Sequence, residues 1–134
     1  MSRPEPKAGP QAPPVGVHVF TDDDRIREAA RSLPAARYVV TYSETAPDAI
    51  DEVRKTRPAV AVLELRVGDY GGFALAKDIH ALPSMGSLPL VMLCDRPHDI
   101  WLCHQAGAQQ VIVKPLPDPM VLLLALDAVL APAL

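Results

Sequence analysis

Apolar positions recur along this chain with two periods, and the switches between them mark out its elements. VGVHVFT (15–21) is a short apolar run that stops at Asp22, Asp23 and Asp24. Ile26, Ala29, Ala30 and Leu33 then follow the i, i+3, i+4, i+7 spacing of one helix face, and Pro34 closes that helix. RYVVTY (37–42) is β-branched and aromatic, which predicts a strand. Ala46, Ala49, Ile50 and Val53 return to helical spacing, with Pro47 suited to a first turn and Pro58 as a stop. AVAVLEL (59–65) is the clearest buried strand, apolar on both alternating faces. After the turn-rich RVGDYGG (66–72), Phe73, Ala76, Ile79 and Leu82 predict a third helix. LPLVMLC (88–94) predicts a fourth strand, Ile100 to Ala106 a short helix closed by Gly107, and QVIVKP (110–115) a fifth strand. Asp118 is placed to cap a last helix, with Pro119 at its first position.

Apolar strands alternating with amphipathic helices imply a parallel sheet with helices on both faces. In such folds ligands meet the C-terminal ends of the strands. The first strand ends at Thr21, Asp22, Asp23 and Asp24, and the third at Glu64. The fourth ends at Cys94 and Asp95, and the fifth at Lys114 before Pro115. Crowded carboxylates need a cation, and a hard divalent ion such as Mg²⁺ suits carboxylate oxygens. A lysine facing them supplies a point charge for a carboxylate or a phosphoryl group. Any one of these residues alone reads as a solvated loop side chain; together, on four of five strand ends, they read as one shared site.

Composition narrows the function classes. The 134 residues suit one domain, and 49% hydrophobic content is enough for a real core. A net charge of -3 argues against nucleic-acid binding by a basic face. There is neither a membrane-spanning apolar run nor a signal-peptide pattern, so a cytosolic protein is expected. Two cysteines make neither a disulfide scaffold nor a Cys-rich metal site. Of the 15 prolines, five fall within residues 1–14, where apolar side chains are almost lacking; this reads as a disordered tail before a domain over 15–134.

The order of these features resembles the receiver domain of two-component response regulators (CheY-like), over roughly residues 15–131. The carriers are VHVFTDDD, AVAVLELRVGDYGG, LPLVMLCD, the AGA at 106–108 and VIVKPL at 111–116. The resemblance implies a flavodoxin-like (βα)5 fold with strand order 2-1-3-4-5, and a bacterial, cytoplasmic signalling role rather than an enzymatic one. It implies an acidic pair after the first strand to hold Mg²⁺ and a phosphoacceptor at the end of the third strand. It also implies a Ser or Thr after the fourth strand, a switching aromatic on the fifth, and a lysine before a cis proline. Histidine kinases and downstream effectors are the implied partners.

Departures from that pattern shape the expectation. The phosphoacceptor position is Glu64, one methylene or about 1.5 Å longer than Asp. Transfer chemistry is sensitive to displacements of that size, whereas a longer carboxylate can reach toward Lys114. The hydroxyl position is Cys94, whose thiol is a weak donor, and the aromatic position is Val111. The acidic pair has two registers, Asp22 with Asp23 or Thr21 with Asp22, so Mg²⁺ binding is retained in one and weakened in the other. The segment from Cys94 to Gly107 is about two residues shorter than usual, with Arg96-Pro97 where the fourth helix should start.

Other residues carry weaker signals. Cys94 reads as a small buried hydrophobe before a redox sensor. His18, His80, His98 and His104 lie on different elements, without zinc-ligand spacing. Gly71-Gly72 lack a phosphate-cradling pattern. Trp101 reads first as core and second as an exposed anchor. The last helix, MVLLLAL (120–126) with Val129 and Leu130, lacks a polar face, so part of it is expected to meet a partner, including a second copy of the chain. The expectation is a stand-alone receiver without an output domain, signalling by protein contact independently of phosphorylation. The alternatives are a conventional Mg²⁺-dependent phosphoreceiver and a small-molecule-binding or enzymatic α/β domain.

Overall fold

Strands β1 (Val15–Phe20), β2 (Tyr38–Ser43), β3 (Val60–Glu64), β4 (Leu90–Cys94) and β5 (Gln110–Val113) form one parallel sheet in the order β2-β1-β3-β4-β5. Helices α1 (Asp24–Arg31), α2 (Ala46–Thr56), α3 (Gly71–His80), α4 (Ile100–Gln105) and α5 (Met120–Leu130) connect and follow them. This computed structural model describes residues 13–68 and 71–131. Most of the expected N-terminal tail, residues 1–12, and the last three residues lie outside the described residues.

The elements form where the two periods place them. Ile26, Ala29, Ala30 and Leu33 are all buried, although the regular helix stops at Arg31, before Pro34. Thr45 caps α2 by accepting from the Asp48 amide, and Arg57 in the left-handed region (φ 46) ends it before Pro58. Asp118 accepts from the Met120 amide (2.7 Å), so it starts α5 although the regular helix counts from Met120.

Strand alternation divides the interior in two. Phe20, Leu63, Leu65, Met92 and Cys94 point to the side covered by α2, α3 and α4. Val17, Val19, Val62, Leu93 and Ile112 point to the side covered by α1 and α5, where Leu122 and Leu126 meet them. Parallel register pairs Phe20 with Leu63, Glu64 with Leu93, and Cys94 with Val113. Thr21, Glu64, Asp95 and Lys114 therefore arrive together along the C-terminal edge of the sheet, where the strands end.

Candidate functional site

Glu64 and Lys114 form the centre of that edge. Lys114 Nζ lies 2.6 Å from Glu64 Oε2, 3.1 Å from Asp23 Oδ2 and 3.4 Å from Asp95 Oδ1. The Thr21 hydroxyl, fully buried, donates to Glu64 Oε1 at 2.5 Å, so both oxygens of this carboxylate are engaged. Thr21 Oγ1 also accepts from the Asp23 amide at 2.9 Å, which ties the β1–α1 loop to the same carboxylate. The Lys114–Pro115 peptide bond is cis.

Electrostatics follow from this packing. Burial pushes the Glu64 carboxyl above its ordinary range, and the hydrogen bonds from Lys114 and Thr21 hold it only partly down. Burial works against the Lys114 charge, but hydrogen bonding to Glu64 and Asp23 more than compensates, so this ammonium is held above its usual range. Partial burial raises Asp23, and this is outweighed by the Arg25 amide and Lys114, so its carboxyl lies below the usual range.

The expected acidic pair is split. An extended backbone alternates its side chains, and Asp23 is extended (φ -98, ψ 116). Thr21 and Asp23 accordingly turn toward Glu64 and Lys114, while Asp22 is exposed and hydrogen-bonds to neither. Asp23 is further occupied as the N-cap of α1, accepting from the Arg25 amide at 2.9 Å. These donors do not fit Mg²⁺. The Thr21 hydroxyl is spent on Glu64, Asp22 is exposed, and an ammonium stands among the three carboxylates that a divalent ion would need. Among the described residues, no group of three His, Cys, Asp or Glu side chains is arranged to hold a metal.

The switch-position residues do not join the cluster equally. Cys94 is buried with Cys103 on the α4 side of the sheet and donates to the Arg96 carbonyl at 3.4 Å. Burial raises its thiol pKa. Val111 is half-buried on β5, opposite Met92. The short β4–α4 segment folds as a 3-10 turn (Pro97–Asp99) followed by six residues of α4. Asp99, nearly buried, receives Arg66 at 3.3 Å and Arg96 at 3.5 Å. Trp101 is 64% exposed, which replaces the core placement expected of it, and Met120 and Leu124 on α5 are 51% and 60% exposed.

Gly72 is a positioning residue that sequence reasoning passed over. A Cβ there would lie 1.9 Å from the Glu64 carbonyl oxygen, so only glycine lets α3 pack against the end of β3. Its signal in the sequence is its place in the turn-rich RVGDYGG segment, directly before the third helical pattern.

No family model matches the chain, and no curated protein matches its sequence. Solved structures do match. A candidate response regulator from Chloroflexus aurantiacus superposes with a TM-score of 0.80 at 24% identity, over 89% of this chain and 99% of that one. The chemotaxis response regulator CheY4 of Vibrio cholerae gives 0.78 at 25% identity, over 87% and 99%. A CheY-like response regulator receiver domain protein from Methanospirillum hungatei gives 0.73 at 20%, over 86% and 92%. With its strand order and five helices, the chain has the flavodoxin-like fold of CheY-like receiver domains. Among the described residues, no helix is long and apolar enough to cross a membrane.

Proposed function

We propose that this chain is an atypical receiver domain of two-component signalling that acts by protein contact and does not depend on phosphorylation. The observation that carries this reading is the engagement of both Glu64 oxygens, one by Lys114 at 2.6 Å and one by Thr21 at 2.5 Å. A carboxylate attacks phosphorus through a free oxygen lone pair, in line with the leaving group. Here each Glu64 oxygen has one of its two lone pairs engaged in a buried contact, which lowers its nucleophilicity and fixes the direction in which the other can point. The Lys114 ammonium occupies the place between the carboxylates that a divalent cation would otherwise take and offsets one of their charges. Lys114 and Glu64 thus hold the site in one state, and the output is the surface the domain presents.

That surface is the α4–β5–α5 face. Trp101, Met120 and Leu124 supply exposed apolar side chains on its two helices. An exposed tryptophan and methionine are the residue types enriched in interface cores. The partner is a downstream effector, a histidine kinase, or a second copy of the chain, and the receiver itself performs no catalysis.

The test is incubation with acetyl phosphate and Mg²⁺, followed by intact mass measurement. The expected result is no phosphoryl adduct. An adduct that disappears in Glu64→Gln would overturn the reading in favour of a conventional phosphoreceiver.

A further inference from the structure

A cavity of about 720 Å³ opens between α1 and the turn from β5 into α5. Its size lies within the range of small-molecule pockets. Ile26 and Ala29 from α1, with Leu116 and Pro119 opposite, give it apolar walls. Asp23, Asp95 and Lys114, which are ion-paired to one another, line its charged end. We propose that this cavity binds a small organic cation, an amine carried on an apolar body.

Charge decides the class of ligand. Lys114 is the ammonium at the charged end, and it is shared among Glu64, Asp23 and Asp95. One positive charge against three carboxylates leaves that end negative. Arg25 and Glu28 also line the cavity and offset one another. Asp95 is the weakest partner of Lys114, at 3.4 Å, and its side chain is 53% exposed, so it is free to turn toward a second cation. An anion would have to displace Asp23 or Asp95 to reach Lys114. A neutral apolar molecule would fill the walls without meeting the charge. An amine on an apolar body satisfies both. The cavity and its charges are independent of how Glu64 treats a phosphoryl group, so the two readings fail separately.

The test is an NMR titration of the full chain with three probes of one shape: 2-phenylethylamine, phenylacetate and 2-phenylethanol. The amine is expected to give saturable shifts around Ala29 and Leu116, with a dissociation constant on the order of 1 mM. Phenylacetate is expected to give none, and 2-phenylethanol to bind more weakly than the amine. Asp95→Asn, at an exposed position, should weaken the amine by about threefold, the size of a partly solvated ion pair. Ser32→Phe, at an exposed residue lining the cavity, should abolish the shifts by filling it. Absence of saturable shifts with the amine, equal binding of phenylacetate, or unchanged binding in Ser32→Phe would each overturn the proposal.

Discussion

Replacing Lys114 with methionine keeps the length of the side chain and removes the charge on which the site is built. The Glu64 side chain is 3% exposed and that of Lys114 16%, so the pair counts as buried. Breaking such a pair by deleting one partner costs about 3–5 kcal/mol, because the remaining charge is left in a poor solvent. Asp23 and Asp95 are 29% and 53% exposed and can recover hydration, so the lower end of that range is expected. A loss of about 3 kcal/mol is a large share of the ~5–15 kcal/mol that stabilises a domain. The loss should also depend on pH with a definite sign. Burial already raises the Glu64 pKa in the folded protein, so the folded state holds this proton to higher pH than the unfolded chain. Its contribution to stability is present below the unfolded pKa and is lost as pH rises through the folded one. Lys114→Met raises the folded pKa further, so the variant should be penalised more near pH 7.5 than near pH 5. Urea unfolding followed by far-ultraviolet circular dichroism at both pH values measures this. Adding Glu64→Gln to Lys114→Met removes the stranded charge and should recover about 2 kcal/mol near pH 7.5, a coupling expected of residues in contact. A loss under about 1 kcal/mol, of the size seen for exposed pairs, would refute the reasoning. So would strict additivity in the double variant.

Three further outcomes follow from other parts of the molecule. His18 is fully buried, with Nδ1 2.8 Å from the Thr41 hydroxyl and Nε2 2.7 Å from that of Ser43; burial lowers its pKa against an opposing pull from Glu52. The unfolded chain therefore takes this proton first, and wild-type stability should fall as pH drops below about 6.5, a slope that His18→Gln should reduce in the same urea assay. Gly72→Ala places a Cβ 1.9 Å from the Glu64 carbonyl oxygen, so a destabilisation of about 3 kcal/mol is expected, read as a lowered urea midpoint. Trp101→Ala and Leu124→Ala remove exposed side chains and should each change stability by less than about 0.5 kcal/mol; sedimentation of the two variants should show loss of any self-association present in the wild type.

Much of the site follows from strand alternation alone. In β1, Val17 and Val19 face the α1–α5 side, so Thr21 does too. In β3, Val60 and Val62 share that side with Glu64, and in β5 Ile112 shares it with Lys114. The same rule sends Cys94 with Leu90 and Met92 to the opposite side, where Cys103 is buried, and leaves Asp95 with the charges. A hydropathy pattern carries this information because both faces of the strands are covered. It does not carry the loop geometry. The choice between Asp22 and Asp23 depends on the first turn of α1, where the Arg25 amide draws in the Asp23 carboxylate. The course of the β4–α4 segment depends on Asp99 meeting Arg66, which lies 33 residues earlier in the chain. The Cys94 thiol turns to the Arg96 carbonyl and to Cys103 on α4, while its own carbonyl accepts from the Lys114 amide at 2.8 Å, so Cys94 joins the Lys114 backbone to α4 without a hydroxyl facing the charged cluster. A second connection runs from Arg66, two residues beyond Glu64, through its ion pair with Asp99 directly before α4. In the proposed receiver, held in one state, these links fix α4 and the exposed Trp101 in place rather than relay a displacement.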